Sequence, residues 1–313
     1  MRFGISGDCG AVSEIIKHVE RHYPGKLVRT VNVEDNRGQT PLHQASYNGN
    51  FSVVKYLISE GADVNARSED DWVPLHLASY NGELDVVKYL INKGADVNTT
   101  ELLYHVTPLH LAAYHGKLSI IKYLISEGAD VNARNRSNWT PIHRAAHSGK
   151  LDVVKYLISK GAEINAKSIY NDTPLHLAVY SGMLDVVVYL VSQDAEINAK
   201  SRYGGTPLSS ALYRAILFCS ISYFGKSINT QSKVDSTSLD LAVENYVYTM
   251  EYLVEKGGSF DTKNGYNKTL SHCYASGSGS LIVVEYLVNR VLVLILGLKL
   301  SILRCALLNK KKS

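Results

Sequence analysis

Cysteine is scarce in this chain of 313 residues. Its four copies, Cys9, Cys219, Cys273 and Cys305, are scattered and form no CxxC pair. That excludes a disulfide framework or a cysteine zinc site and points to a reducing compartment. An excess of one charge is also missing. The net charge is +4 with 20% charged residues, so composition gives no ground for nucleic-acid binding. No glycine-rich phosphate loop or Walker motif is present. The opening Met1-Arg2-Phe3-Gly4-Ile5-Ser6-Gly7-Asp8 lacks the long apolar stretch of a secretory signal. The one uninterrupted apolar run, at 291–298, is too short to span a bilayer, and extending it admits Lys299 and Arg304.

What the chain has is a period. Thr40-Pro41-Leu42-His43 recurs as Val73-Pro74-Leu75-His76, Thr107-Pro108-Leu109-His110, Thr140-Pro141-Ile142-His143 and Thr173-Pro174-Leu175-His176. Weaker echoes follow at Thr206-Pro207-Leu208, Thr237-Ser238-Leu239 and Lys268-Thr269-Leu270. The first six starts are 33, 34, 33, 33 and 33 residues apart. A period of this size means a stack of small units, each burying its apolar face on its neighbours.

The copy from Val73 to Asn98 shows how one unit is built. Pro74 opens a short helix at the position where a missing N–H costs nothing. In most copies a Thr precedes the Pro as N-cap, its hydroxyl accepting from an unpaired backbone N–H. Leu75, Leu77 and Ala78 form the apolar side, and Gly82 stops the helix. A second helix reads Leu84-Asp85-Val86-Val87-Lys88-Tyr89-Leu90-Ile91, apolar at helical spacing, and Gly94 stops it. Asp96-Val97-Asn98 leads into a polar turn toward the next copy.

Thr-Pro-Leu-His-Leu-Ala, a Gly, a Val-Val-Lys-Tyr-Leu helix and Gly-Ala-Asp-Val-Asn-Ala together resemble the ankyrin repeat. The resemblance is strong over 36–199 and weaker over 200–290. It implies an all-α solenoid of helix-turn-helix units with β-hairpin-like finger loops, used for protein–protein binding. Residues 1–35 read as a degenerate N-terminal capping repeat, 36–199 as five well-formed repeats and 200–290 as degenerate repeats, about eight or nine units in all. Residues 291–313 form a hydrophobic then basic tail, ending Lys310-Lys311-Lys312-Ser313. Three readings of the tail stay open: a helix covering the last repeat, a membrane tether, and a degraded gene end. After residue 210 the glycine stop of the first helix is gone, so the two helices of that unit merge or an irregular linker joins them.

The periodic histidines His43, His76, His110, His143 and His176 invite a metal or acid–base reading. Neighbours stand about 10 Å apart across stacked helices, too far to share an ion bound at ~2.1 Å. The family resemblance makes them structural hydrogen-bonding residues near the finger. No catalytic residue, metal site or cofactor is expected.

The tyrosines fall into two ladders. Tyr56, Tyr89, Tyr123, Tyr156 and Tyr189 lie mid second helix and are expected to pack between repeats. Tyr47, Tyr80, Tyr114, Tyr180 and Tyr213, with His147 in the same register, sit just before the first-helix glycine. That position faces the groove in the resembled fold, and core packing and an exposed binding strip are both open there. Trp72 and Trp139 each stand two before the repeat's Pro, on the ligand-facing side by resemblance; the alternative is that each covers an adjacent finger. An inserted residue near 98–106 lengthens one finger and carries Leu102, Leu103 and Tyr104, which either form an exposed patch or fold back. Glu69, Asp70 and Asp71 make one tip acidic, while Arg134, Arg136, Lys167, Lys200 and Arg202 make later tips basic. A partner of opposite polarity would be steered by them.

The expectation is a non-enzymatic, monomeric scaffold that binds partner proteins through its fingers and first helices. The residues singled out are Trp72, Tyr80, Leu103, Tyr104, Tyr114, Arg134, Trp139, His147 and Tyr180. The expected compartment is the cytoplasm, of its own cell or of a host. The alternative is a membrane-associated scaffold held by the tail.

Overall fold

The computed structural model describes residues 31–215 and 236–259. The short helices anticipated by the period are present as pairs: α1 (Pro41–Tyr47) with α2 (Phe51–Ser59), α3 (Pro74–Asn81) with α4 (Leu84–Asn92), α5 (Pro108–His115) with α6 (Leu118–Ser126), α7 (Pro141–His147) with α8 (Leu151–Ser159), and α9 (Pro174–Tyr180) with α10 (Leu184–Ser192). A proline occupies the first turn of α1, α3, α5 and α9. Gly82 and Gly116 cap α3 and α5 in the left-handed region, at φ 106° and 72°. Helices of seven to nine residues are too short to stand alone in water, so their stability comes from packing.

The chain forms two compact units: residues 1–145 with 152–163, and residues 146–151 with 164–313. In the first, α1 packs on α3 and α3 on α5, while α2 packs on α4 and α4 on α6. Leu42, Leu75, Leu109 and Ile142 form one buried ladder, and Leu57, Leu90, Leu124 and Leu157 a second. Each such side chain contributes about 2 kcal/mol on burial. Val86, Val87 and Leu90 share one face of α4, and Lys88 is left exposed.

An asparagine brackets each repeat to the next. Asn98 donates from Nδ2 to the Gly128 carbonyl (3.1 Å), and its Oδ1 accepts from Asp130 N–H (2.9 Å). Asn32, Asn65 and Asn132 do the same for Gly61, Gly94 and Gly161. The glycine carbonyl at the end of each second helix, left without an intrahelical donor, is satisfied in this way.

In the second unit α9 packs on α10, and α10 on α11 (Ser236–Glu255), a helix of 20 residues. Residues 207–215 are helical, and Leu208 and Ala211 within them are buried. The echo at Thr237-Ser238-Leu239 therefore opens no separate hairpin: it lies in the first turn of a helix that runs unbroken to Glu255, because no glycine or proline interrupts it. Asn198 brackets this helix as its counterparts bracket theirs, donating to Gly257 O (3.0 Å) and accepting from Ser259 N–H (2.8 Å). The readings for residues 1–30, 216–235 and 260–313, the N-terminal cap and the tail among them, lie outside the described residues.

Candidate functional site

The repeated histidines are buried and held at both ring nitrogens. His110 Nδ1 accepts from Thr107 N–H (3.3 Å) and sits 2.8 Å from Thr107 Oγ1, while Nε2 meets the Trp139 carbonyl at 2.8 Å. A backbone N–H can only donate, so Nδ1 is bare and Nε2 carries the proton. The threonine hydroxyl then also donates to Nδ1. Thr40 and Thr173 pair with His43 and His176 in the same way, and those rings reach the carbonyls of Trp72 and Gly205. The expected cap is thus refined: the hydroxyl's principal partner is the imidazole, and the long Thr107 Oγ1 contact to His110 N–H (3.4 Å) is secondary. Val73 lacks the hydroxyl, yet its N–H still reaches His76 Nδ1 (3.2 Å). Desolvation pushes His76, His110 and His176 down to about 4, and the same burial lowers His43. Neutral imidazoles committed at both nitrogens offer neither a proton relay nor a metal ligand. Among the described residues no three His, Cys, Asp or Glu group as a metal site.

Each finger tip is a turn closed by one side chain and one left-handed residue. Gly38, Asp71, His105, Asn138, Asn171 and Gly204 hold that conformation, at φ between 53° and 78°. Asn135 Oδ1 accepts from Ser137 and Trp139 N–H, and Asp35, Ser68, Ser168 and Ser201 serve the other tips. In the finger lengthened by the insertion Glu101 takes this role. Its buried carboxylate accepts from the N–H groups of Leu103 (2.7 Å), Tyr104 (2.6 Å) and Val106 (3.1 Å). A longer tip needs a longer acceptor, and with the tip so held Leu102, Leu103 and Tyr104 remain 48–61% exposed instead of folding back.

The first-helix tyrosines are exposed too. Tyr47, Tyr80 and Tyr114 keep 37–41% of their surface in water, each at or near the end of its helix. They are linked ring to ring: Tyr47 to Tyr80 at 6.3 Å, Tyr80 to His115 at 4.2 Å, Tyr114 to His115 at 5.0 Å. The fingers join this row, since Trp72 meets Tyr80 edge-on at 6.5 Å and Arg144 lies over both Trp139 (5.1 Å) and Tyr114 (6.0 Å). The other ladder behaves differently. Tyr89 and Tyr123 are half-buried and meet neighbouring repeats through Phe51 (5.7 Å) and Lys88 Nζ (5.9 Å).

A family model for ankyrin repeats in three copies matches residues 5–101 and 102–168, and a single-repeat model matches 170–202. The chain belongs to the ankyrin-repeat family. Ankyrin repeats generally mediate protein–protein interaction and are typically non-enzymatic. Among curated relatives, the chain is similar to Ankyrin repeat domain-containing protein 49 of Bos taurus, 56% identical over 36 residues, 12% of this chain and 15% of that protein. It is similar to Palmitoyltransferase AKR1 of Saccharomyces cerevisiae, 44% identical over 63 residues, 20% of this chain and 7% of that protein. It is also similar to Putative ankyrin repeat protein FPV233 of Fowlpox virus, 37% identical over 62 residues, 17% of this chain and 12% of that protein. The matched stretches span only a small part of these relatives, and the shared ground is the ankyrin repeat itself.

Of the ankyrin residues singled out from sequence, the first unit brings together Trp72, Tyr80, Tyr114 and Trp139, and presents Leu103 and Tyr104 on the neighbouring finger. Arg134 is tied to Glu163 at 2.8 Å. In the second unit Tyr180 is exposed beneath the Arg214 guanidinium (4.5 Å), and its carbonyl accepts from Tyr246 O–H (2.9 Å). His147, in the tyrosine register, is half-buried and its Nδ1 lies 2.8 Å from Ser181 Oγ. Sequence reasoning missed Arg144 and His115, which do not recur, and the stacked tip tyrosines Tyr170 and Tyr203 (6.4 Å). Those two fall in register with each other, a signal that was available. No helix among the described residues is long and apolar enough to cross a membrane.

Proposed function

We propose that the chain is a non-enzymatic scaffold that binds partner proteins through the fingers and first-helix row of its first unit. The observation that carries this is the exposed, ring-linked row of Tyr47, Tyr80 and Tyr114 with Trp72 at its edge. Leu, Ile and Val fill the buried ladders of the same repeats, so these aromatics are not needed to close the core. Tyr and Trp dominate interface hot spots because they bring large area at little entropic cost. Truncating a true anchor costs roughly 2 kcal/mol or more of binding.

The test is affinity capture with the full chain beside the variant Trp72→Ala/Tyr80→Ala/Trp139→Ala. A second control, Lys88→Ala/Lys122→Ala, alters the second helices. Proteins held by the wild type and the lysine control but lost by the aromatic variant, with both variants folded by circular dichroism, are the expected result. Undiminished capture by the folded aromatic variant rejects the reading.

A further inference from the structure

We infer that the finger edge of the first unit takes an extended partner segment whose side chains run basic, apolar, acidic, meeting Glu69 and Asp70, then Leu102, Leu103 and Tyr104, then Arg136. This rests on the protein-binding reading above and names the chemistry of the segment bound.

The order of the fingers is fixed by backbone hydrogen bonds between their tips. Glu69 N–H donates to Arg37 O (3.0 Å), Leu102 N–H to Asp70 O (3.1 Å) and Arg136 N–H to Tyr104 O (2.8 Å). Asp70 therefore lies beside Leu102, and Tyr104 beside Arg136, along one edge. Three other charges nearby are engaged. Asp71 pairs with Arg67 (3.7 Å), Arg134 pairs with Glu163 (2.8 Å), and Glu101 is buried against three backbone N–H groups. Glu69, Asp70 and Arg136 are exposed and make no ion pair among the described residues. Arg37, on the finger before Glu69, marks the outer limit of the acidic patch.

The first-helix row repeats the same polarity one layer in. Trp72 and Tyr80, on the repeat with the acidic tip, offer ring faces that attract an ammonium or guanidinium group. Arg144, on the repeat of Arg136, adds a cation over Trp139 and Tyr114. Between them the Glu101-locked tip holds three apolar side chains in water, surface that gains by burial. The acidic tip argues against a phosphate backbone, which needs cations along its whole track. Two repeat steps make about 20 Å, the span of roughly six extended residues, so an eight-residue segment reaches both charged ends.

Fluorescence anisotropy of the full chain with synthetic eight-residue peptides tests this. The probes share an apolar centre and carry basic and acidic ends (in both chain directions), two acidic ends, or two basic ends. Wild type is expected to bind a basic–apolar–acidic probe about tenfold tighter than the other two kinds. Glu69→Lys/Asp70→Lys shifts the preference to the doubly acidic probe, and Arg136→Glu to the doubly basic one. Equal binding of all probes, no binding, or a preference that ignores these substitutions overturns the inference. If partner capture still depends on Trp72, Tyr80 and Trp139 in that case, the broader reading stands; if it does not, both fall.

Discussion

In the regular repeats Asn98 reaches the carbonyl of Gly128, 30 residues on, whereas Asn198 makes the same bond to Gly257, 59 residues on. Between Asn198 and Gly257 the sequence loses its period after Thr206-Pro207-Leu208, and the helix that precedes Gly257 has 20 residues where α6 has nine. The bracket is nonetheless the same: an amide donating to a helix-end glycine and accepting from the N–H two residues later. Stacking in this protein depends on particular side chains arriving in register, not on a fixed length of chain between them. The same bracket thus closes over 30 residues in the first unit and over 59 in the second.

Acidification should break both regions most strongly. His76 and His110 lie in the regular stack, and His176 is bonded to Gly205 at the entrance to the irregular one. All three titrate near 4 when folded, against 6.5 when unfolded. Between those values the unfolded chain binds more protons, so their stabilisation is complete above pH 6.5 and is lost as pH falls toward 4. Each withdraws up to about 3 kcal/mol over that window. Urea midpoints measured from pH 7 to 4.5 should fall steadily; a flat profile would contradict the assigned tautomer and burial.

Core truncation comes next. Leu124, in α6, and Leu253, in α11, are both fully buried. Leu124→Ala and Leu253→Ala should each cost about 2–5 kcal/mol in denaturant unfolding. A negligible cost at Leu253 would mean that the long helix only rests on its neighbour. Smaller still are the bracket substitutions. Asn98→Ala and Asn198→Ala each remove two hydrogen bonds and should cost about 1–2 kcal/mol. Similar values sharpen the comparison, and a silent Asn198→Ala breaks it.

Much of the fold was legible because it is periodic. Pro74, Gly82, Gly94 and their counterparts fix where helices start and stop, and they do so in the structure. The histidines were legible as scaffold, though their tautomer required the neighbouring finger's carbonyl. The irregular region was less so: Thr237-Ser238-Leu239 imitates a repeat start, but without proline or a following glycine nothing halts the helix that contains it. At the candidate site, the tyrosine row and the long finger could be located from register alone. Their exposure could not, because a tyrosine at a helix end suits core and surface equally. Glu101 escaped notice since a lone carboxylate in a finger reads as solvated, and only the inserted residue gives it three N–H groups to accept from.

Leu109 and Tyr114 lie in the same helix, α5, one fully buried and one exposed. Partner affinity per folded molecule, measured for Leu109→Ala and Tyr114→Ala against a protein captured by the wild type, tests the separation of scaffold from surface. The account predicts wild-type affinity for the destabilised Leu109→Ala and at least about tenfold weaker binding for the stable Tyr114→Ala. Unchanged binding by Tyr114→Ala would contradict it.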